Sequence, residues 1–479
     1  MSSTAKVIKN SIWLIIQPLI LNVISLFVIG YIASTLGQAS YGKFIFAFSF
    51  ISMFSPFTNF GLGSITTRDI SENKNEANKY LGNMIFLKTI IGSLIFLLVV
   101  IIINFMRYPI DTKIVVYLAG LTLIFNAVAT TFYSAFQGFE KMEYVSSSQF
   151  FSGLILTILS VLVLFWGFRL IGLTIVYVTG NFLGLVLAAS YCYSRCTKPS
   201  FKINTAYWKS SLLRGFPFFL PAIIGSIGAK IGFIFLSKMG GDASVGIYGA
   251  ANNLIEKLTV IPDGICTAIF PTMASIYLVS KIDAGKLFQR VFQYMILLGL
   301  PIAVGITVLA KQIISLVYGS TYMDSSLVLQ ILVWNYFVSF LVGLAGWSLG
   351  AVHQEKRTAI VMAVITILSI VFSFIFISKY KDLGFAISNL LVGVITLIVL
   401  LRLTRRFIIK EIILLKPVIY IVIMNLIMGA TIYLTAKINF MLAVVLGIIL
   451  YCTLAFAFRL LTKEDVKKFR DLFKNRMQL

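Results

Sequence analysis

The chain has 479 residues, of which 59% are hydrophobic and only 12% are charged, and its mean hydropathy is +0.97. A composition this apolar excludes a soluble globular domain and indicates a polytopic membrane protein, because roughly 20 apolar residues suffice to cross the hydrocarbon core of a bilayer. The formal net charge of +23 has two possible explanations, a nucleic-acid partner or a membrane topology that keeps basic residues on one side. The positions of the lysines and arginines along the chain distinguish between them.

Apolar stretches of membrane-spanning length follow one another along the whole chain. The fourteen predicted spans are 8–36, 41–65, 80–106, 111–137, 145–168, 170–193, 209–236, 245–273, 287–312, 325–350, 358–378, 383–402, 417–436 and 440–461. The first stretch is longer than the apolar region of a signal peptide, which has roughly 7–15 residues, and is interpreted as a span. We predict an all-α polytopic membrane protein of about 14 transmembrane helices, without an extramembrane domain.

The basic residues are distributed unevenly between the two sides of the predicted membrane. With the N-terminus inside, the N-terminal end, the even-numbered turns and the C-terminal end together hold 28 of the 40 lysines and arginines, and the opposite side holds nine. The positive-inside rule describes such a bias for a chain with an even number of spans. We therefore predict a multi-pass protein of the cytoplasmic (inner) membrane with both termini cytoplasmic, and no nucleic-acid partner.

A short motif occurs twice. G-Q-A-S-Y-G-K-F (Gly37–Phe44) returns as G-D-A-S-V-G-I-Y (Gly241–Tyr248), 204 residues later, and a weaker echo links 171–173 to 383–385. Each copy joins the first and second spans of a six-span block, which indicates a parallel internal duplication. The predicted organisation is a six-helix lobe over 1–194, a cytoplasmic linker over 195–208, a second six-helix lobe over 209–402, transmembrane helices 13 and 14 over 403–461, and an amphipathic cytoplasmic tail over 462–479.

The eighth predicted span carries polar and charged residues at depths where a membrane helix normally has apolar residues. On a continuous helix, Asn252, Asn253, Glu256, Lys257 and Asp263 fall on one half of the surface. Glu256 would lie roughly 16 Å below the outer end at 1.5 Å per residue. Ionisable groups at that depth face a wet cavity or pair inside the bundle, so this polar stripe is a candidate functional site.

Two more lysines lie inside predicted spans. Lys230, in the seventh span, has a depth at which it can meet Glu256 on the neighbouring helix. Two interpretations remain open for that pair: a structural ion pair, or a working substrate or coupling site. Lys88, in the third span, is either a lysine that snorkels to the cytoplasmic interface or a buried cation.

The first lobe has polar but uncharged residues at the equivalent places. The 204-residue offset relates Glu256 to Ser52 and Asp263 to Asn59, and Asn126 begins a polar stripe on the fourth span. Such hydroxyls and amides either line a cavity or hold helices together. The first six spans hold no acid away from their ends.

Nothing in the sequence calls for a metal or a cofactor. The four cysteines show no metal-ligand spacing and are predicted to be reduced, and His353 is the single histidine.

Five segments, in this order, resemble the polysaccharide-export flippases: L-G-Q-A-S-Y-G (36–42), G-L-G-S-I-T-T-R-D-I (61–70), V-G-I-Y-G-A-A-N-N-L followed by I-F-P-T-M-A (245–274), Y-G-S-T-Y-M-D-S-S (318–326) and G-A-V-H-Q-E-K-R (350–357). These flippases belong to the superfamily that also holds multidrug-and-toxin extruders and the peptidoglycan lipid flippase. The resemblance covers essentially the whole chain.

The resemblance implies a non-enzymatic flippase that moves an undecaprenyl-pyrophosphate-linked oligosaccharide outward by alternating access, coupled to H⁺ or Na⁺. It implies membrane lipids and the polysaccharide polymerase machinery as further candidate partners, and Lys230 and Lys257 as pyrophosphate ligands. Glu256 and Asp263 are then candidates for ion coupling or for an ion pair.

The family pattern leads us to expect arginines in the first two spans as well. None lies within them. Gln17 is polar, and Lys43 and Arg68 stand only at the ends of the second span. With Lys88, these two are candidate additional bases, and Gln17 joins the candidate cavity-lining residues.

Two other functions stay open. A multidrug extruder of the same superfamily would carry an acid in the first lobe for cationic drugs, and the lack of one disfavours it. A membrane-embedded polymerase or ligase would need catalytic groups on sizeable outer loops, and the predicted outer turns are short.

Overall fold

The computed structural model describes residues 3–408, 415–458 and 460, with side chains from residue 24 onward apart from those of residues 261, 268, 415 and 416. The predicted tail 462–479 lies outside this part of the chain. The helices are α1 (Ser3–Asn59), α2 (Leu62–Glu72), α3 (Ala77–Phe105), α4 (Ile110–Gly138), α5 (Met142–Phe165), α6 (Leu170–Arg195), α7 (Thr205–Met239), α8 (Asp242–Glu256), α9 (Val260–Val279), α10 (Lys281–Tyr318), α11 (Ser325–Ala351), α12 (Glu355–Phe407), α13 (Leu415–Thr435) and α14 (Phe440–Ala457). The described residues contain no strand.

The prediction of an all-α polytopic membrane protein is confirmed. Among the described residues, twelve helical segments are long and apolar enough to cross a membrane. Two of these segments each contain two predicted spans in one helix. The two spans are separated by a residue with non-helical backbone angles, Gly37 in α1 (φ 74°) and Lys381 in α12 (φ 49°). The serine hydroxyls of residues 373 and 388 lie 3.4 Å apart, so α12 folds back on itself.

The eighth predicted span is not one continuous helix, and that expectation was wrong. The chain leaves α8 after Glu256, turns through residues 257–259 and enters α9 at Val260. Pro262 explains the break, because proline has no N–H to offer the carbonyl four residues earlier and its ring crowds that carbonyl. The carbonyl released in this way is that of Leu258, and the buried hydroxyl of Tyr336 on α11 donates to it.

Replacing Tyr336 by phenylalanine is therefore expected to destabilise the break. The change leaves the Leu258 carbonyl without this donor, which costs about 1–3 kcal/mol for a buried polar group. Thermal unfolding of the purified protein in detergent measures the loss. The matched control is Tyr433→Phe, an exposed tyrosine of the same unit, which should leave the melting temperature unchanged. Equal melting temperatures for the two variants would show that the hydroxyl does not stabilise the break.

The chain divides into two compact units, Met1–Gly246 and Ile247–Leu479. Helix α7 belongs to the first unit, where it packs on α1, α2 and α3. The linker predicted over 195–208 also packs there, because the Asn83 side chain donates to the Lys202 carbonyl at 2.9 Å and accepts from the Asn204 backbone N–H at 2.7 Å. The predicted lobe bounds describe the sequence repeat, and they stay a prediction.

Apolar side chains of α2, α3, α4 and α6 form a buried core in the first unit, with Ile70, Leu81, Phe136 and Ala188 fully buried. These helices approach closely because their contacts use small residues and flat rings, as is usual for membrane helices that gain no hydrophobic driving force from lipid.

In the first unit the repeated motif makes two equivalent contacts. A Cβ built on Gly42 would lie 1.7 Å from the Asp242 carbonyl oxygen, and a Cβ built on Gly246 would lie 2.1 Å from the Gln38 carbonyl oxygen. The residues of the first contact correspond to those of the second under the 204-residue offset. The two motif copies therefore pack against each other reciprocally, each through a glycine that leaves room for the other backbone.

In the second unit, α10 and α11 hold α8 by its backbone. Tyr318 donates to the Ala250 carbonyl at 2.9 Å, and Ser325 donates to the Ile247 carbonyl at 2.8 Å. On α12, Phe385 stacks on Tyr248 with ring centroids 4.2 Å apart. These contacts fix the position of α8 in the second unit, and with it the position of the break that follows.

Candidate functional site

The break between α8 and α9 gathers the polar residues predicted for the eighth span. Glu256 is exposed at the last position of α8 and accepts a hydrogen bond from the Asn252 amide at 2.9 Å. Lys257 is half-buried in the turn, and Asp263 is exposed in the first turn of α9. The structure therefore brings these four together along one short segment, which offers a base, acids and an amide to a polar ligand.

Two local side-chain hydrogen bonds to backbone carbonyls flank the break. The Asn253 amide donates to a carbonyl one turn earlier in α8 at 3.0 Å, while Thr259 donates to the Glu256 carbonyl at 2.8 Å. Proline at 262, in a span rich in polar residues, is the sequence signal that identifies the break.

Lys230 lies in α7, which belongs to the first unit, whereas Lys257 belongs to the second. The Lys230 ammonium lies 5.6 Å from the centre of the Phe233 ring, and its side chain is half-buried. Helix α7 contains Pro217 and Pro221. The predicted pairing of Lys230 with Glu256 stays a prediction.

Lys88 does not snorkel. Its side chain is fully buried, and its ammonium donates to Asn59 Oδ1 at 2.9 Å and to Thr130 Oγ1 at 3.2 Å. Snorkelling places a charge in water when no internal partner exists, and here two oxygens from α1 and α4 lie within reach. The predicted polar residues Asn59 and Lys88 therefore meet in the first unit.

The other polar residues predicted for the first lobe differ in their environment. Ser52 is half-buried and donates to the Ser49 carbonyl of its own helix at 2.8 Å, while Asn126 is exposed. Gln17 lies in α1, but its side chain is outside the described part of the structure.

The two candidate bases at the ends of the second span are in ion pairs. Lys43 pairs with Asp111 at the start of α4 and lies 3.9 Å from Asp242, while Arg68 pairs with Glu72 at 2.9 Å on the exposed surface of α2. Burial raises the pKa of the Asp242 carboxyl, and the nearby Lys43 ammonium opposes that rise. Both bases thus have local acid partners.

Sequence reasoning missed a cluster of charged residues around Asp69. This carboxylate is almost fully buried and accepts two parallel hydrogen bonds from Arg214 on α7, at 2.7 and 2.8 Å, and one from Tyr207 at 2.8 Å. The only signal was the R-D pair within the quoted 61–70 motif. The first unit therefore has a buried acid near the end of the second predicted span, so a lack of acids in this part of the chain no longer disfavours a drug extruder.

Replacing Arg214 by methionine is expected to destabilise the protein by about 2 kcal/mol, because a buried carboxylate without its cation is costly, while partial exposure of the arginine moderates the effect. Thermal unfolding in detergent measures the change. The matched control, Arg68→Met, breaks an exposed pair one residue away and should cost about 0–1 kcal/mol. If Arg214→Met were no worse than Arg68→Met, the bidentate pair would not hold α7 on α2.

The second unit contains an apolar cavity of about 750 Å³ between α10, α13 and α14. Its lining includes Leu297, Ile302, Met428, Val444 and Ile448. Side chains of this kind offer a long hydrocarbon chain contact without hydrogen bonds. Among the described residues, no three His, Cys, Asp and Glu side chains gather into a metal-binding group.

Residues 7–277 match the model of a family described as polysaccharide biosynthesis protein. The putative O-antigen transporter of Shigella flexneri is 21% identical over 405 residues, which cover 80% of this chain and 94% of the relative. The probable low-salt glycan biosynthesis flippase Agl15 of Haloferax volcanii is 24% identical over 376 residues, which cover 76% of each chain.

Several solved structures have a similar fold, among them the following two. The lipid II flippase MurJ in an inward closed conformation gives a TM-score of 0.76 at 19% identity, covering 97% of this chain and 100% of that one. An inward-facing multidrug resistance MATE family transporter of the MOP superfamily gives 0.67 at 15% identity, covering 81% and 95%. The resemblance found in the sequence is thus confirmed at the level of family and fold.

Proposed function

This chain belongs to the polysaccharide biosynthesis protein family, and from that premise we propose that it is a flippase for a lipid-linked oligosaccharide. Its substrate is an oligosaccharide carried on undecaprenyl pyrophosphate, moved from the cytoplasmic to the outer leaflet by alternating access and without chemical change. Such a headgroup crosses a bilayer very slowly unaided, because its hydroxyls and phosphate charges lose their water.

One observation carries this proposal. The second unit contains both an apolar cavity and a charged break. Helix α10 lines the cavity through Leu297, and its Tyr318 donates to Ala250 of α8, the helix that leads to the break. A prenyl chain needs an apolar surface of this kind, while a pyrophosphate needs charged and hydrogen-bonding groups. A substrate with both parts matches a unit with both surfaces.

In this proposal Lys257 and Lys230 bind the pyrophosphate, and the amides of Asn252 and Asn253 bind sugar hydroxyls. Lysine suits a headgroup that must be released, because its ammonium is a point charge and does not clamp two oxygens as arginine does. Glu256, the neighbour of Lys257 in the chain, and Asp263, in the first turn of α9, are both exposed, and in this proposal they bind H⁺ or Na⁺ in competition with Lys257.

The test uses proteoliposomes that contain an undecaprenyl-pyrophosphate oligosaccharide, with the headgroup at the opposite leaflet detected by a lectin or a glycosidase. Wild-type protein is expected to make the headgroup accessible over time, and protein-free liposomes are the control. Undecaprenol without the pyrophosphate sugar, added as a competitor, should slow the movement only weakly if the charged headgroup is the recognised part.

The same proteoliposomes distinguish a flippase from the two alternative functions. A multidrug extruder would expel a cationic dye and leave the headgroup inaccessible, and that result would replace the flippase. Release of a longer or transferred glycan without added enzyme would instead support a polymerase or ligase.

A further inference from the structure

The second unit has a polar region, at the predicted outer ends of α10, α11 and α13, that the proposed function does not use. Two adjoining cavities of about 640 and 300 Å³ lie there, and Lys311 and Gln312 line both of them. We call this region the outer pocket. Its polar side chains are Lys311, Gln312, Ser315, Gln330, Tyr433 and Lys437.

The outer pocket is formed where three helices begin or end. Lys311 lies seven residues before Tyr318, the last residue of α10, which corresponds to roughly 10 Å along the axis at 1.5 Å per residue. Gln330 is in the second turn of α11, and Lys437 stands in the turn between α13 and α14. A headgroup at the predicted outer membrane surface can therefore reach all three side chains.

Two lysines give the outer pocket positive charge without a local acid. Lys311 and Lys437 both line the smaller cavity, and both are exposed, so a ligand can reach them. In the part of the chain that the structure describes, no carboxylate oxygen lies within 4.0 Å of either ammonium. The Lys437 ammonium lies 4.9 Å from the centre of the Tyr433 ring, a contact that holds it at the cavity. Two cations at one cavity repel each other, and a bound anion relieves that repulsion.

Amide groups complement these charges. The Oε1 atom of Gln312 is buried and has no hydrogen-bond donor among the described residues, which is costly unless a ligand or water supplies one. Gln330 donates through its Nε2 to the Thr307 carbonyl at 2.9 Å, and this bond orients its amide at the cavity wall. A ligand that has both phosphate oxygens and hydroxyl groups therefore finds donors and acceptors in the same place.

The outer pocket adjoins the apolar cavity between α10, α13 and α14. Phe440, the first residue of α14, lines both the apolar cavity and the larger polar one. Val308 and Ala436 line the smaller polar cavity and pack against a buried apolar cluster. Two members of that cluster, Leu309 and Ile432, line the apolar cavity. One molecule with a hydrocarbon chain and a polar headgroup can thus contact both regions.

We propose that the outer pocket binds the pyrophosphate and first sugar of the lipid after translocation, while the prenyl chain lies in the apolar cavity. The proposal rests on the proposed flippase function, and it adds to the headgroup site at the break between α8 and α9 a second one on the outer side. Lys311 and Lys437 bind phosphate oxygens, and the amides of Gln312 and Gln330 bind hydroxyls of the sugar.

Charge and hydrogen bonding favour this lipid over an ordinary phospholipid. A pyrophosphate diester carries two negative charges, which match two lysines, whereas the phosphodiester of a phospholipid carries one. The amide oxygen of Gln312 calls for a donor close to the phosphates, and a sugar joined directly to pyrophosphate supplies hydroxyl donors there. Lysines also permit release into the outer leaflet, because an ammonium does not hold two oxygens in a fixed fork as arginine does.

The experiment maps where the headgroup lies. Proteoliposomes contain wild-type protein and an undecaprenyl-pyrophosphate oligosaccharide whose first sugar carries a photoreactive diazirine. After incubation and illumination, mass spectrometry identifies the labelled peptides. Label is expected on the segments around Lys311 and Lys437, in addition to residues 252–263 at the break. An excess of the unlabelled lipid-linked oligosaccharide should remove this label, and an equal excess of phosphatidylglycerol should not.

Variants test the side chains of the pocket. Lys311→Gln combined with Lys437→Gln should reduce labelling of the outer pocket about tenfold, because two contacts to charged groups are lost. Labelling of residues 252–263 and the melting temperature should stay near those of wild type, which shows that the variant is folded. The matched control is Lys379→Gln, an exposed lysine on the predicted outer side of the same unit, which should be labelled as wild type is.

The outcomes distinguish the two proposals. If wild type moves the headgroup but is labelled only at residues 252–263, or if the folded double variant keeps its outer labelling, the outer pocket is wrong and the flippase stands. If phosphatidylglycerol removes the label as well as the lipid-linked oligosaccharide does, the pocket binds anionic lipids in general and the proposal is also wrong. If wild type makes no headgroup accessible, the flippase proposal fails and the inference that rests on it fails too.

Discussion

Alanine in place of Gly42 is expected to prevent accumulation of the folded protein. Its Cβ would lie 1.7 Å from the Asp242 carbonyl oxygen, a distance at which one backbone has to move. Overpacking of this kind costs roughly 1–3 kcal/mol and occasionally more. We expect at least the upper end of that range, because the obstacle is backbone and not the end of a flexible side chain. Yield of monodisperse protein and its melting temperature measure the effect.

The repeat supplies a second test of the same contact. Gly246→Ala meets the Gln38 carbonyl oxygen at 2.1 Å and should behave like Gly42→Ala. Gly225→Ala is the matched control, because a Cβ there meets nothing within 4 Å. Its melting temperature should equal or exceed that of wild type, since alanine favours a helix over glycine by about 1 kcal/mol. Normal stability of both Gly42→Ala and Gly246→Ala would show that the motif copies do not need this close approach.

Alanine in place of Lys257 is expected to reduce lipid movement roughly tenfold to a hundredfold. A hydrogen bond to a charged group contributes about 1.5–3 kcal/mol, and about 1.4 kcal/mol corresponds to a factor of ten. The lysine stands in the turn between α8 and α9 and follows Glu256, which accepts a hydrogen bond from the Asn252 amide. The initial rate of headgroup appearance in proteoliposomes measures the loss.

Two variants show whether charge at this position is what matters. Lys257→Arg keeps the charge and should retain a larger part of the activity than Lys257→Ala. Lys286→Ala removes a lysine that is 72% exposed from the same unit and should keep the wild-type rate. If Lys257→Ala and Lys286→Ala move lipid equally fast, Lys257 does not bind the pyrophosphate.

The sequence was sufficient for the architecture because each membrane-spanning helix is a local property. About 20 apolar residues must form their own hydrogen bonds in lipid, so hydropathy alone locates a helix. The join between spans at Gly37 was also visible, since the repeated motif begins there. The contact that this motif makes was not, because nothing local indicates that Gly42 faces the backbone of Asp242.

For the site, the sequence identified the residue types but not their arrangement. The sequence identified the polar residues of the eighth span, and it correctly predicted that they lie close together because they are close along the chain. It wrongly predicted one continuous helix there. Pro262 carried the missing information, and its effect became clear only with Tyr336, a residue 78 positions away from the Leu258 carbonyl that it stabilises.

What the sequence by itself determined is the class of protein, the approximate number of spans, the internal repeat and the family. These depend on hydropathy and on short motifs, which are read along the chain. Only the tertiary structure decided the partners of the buried charges: Asp69 with Arg214, and Lys88 with Asn59 and Thr130. A charge in a membrane protein must find a partner somewhere, but the partner lies on another helix, and which helix faces it is set by packing across the whole unit.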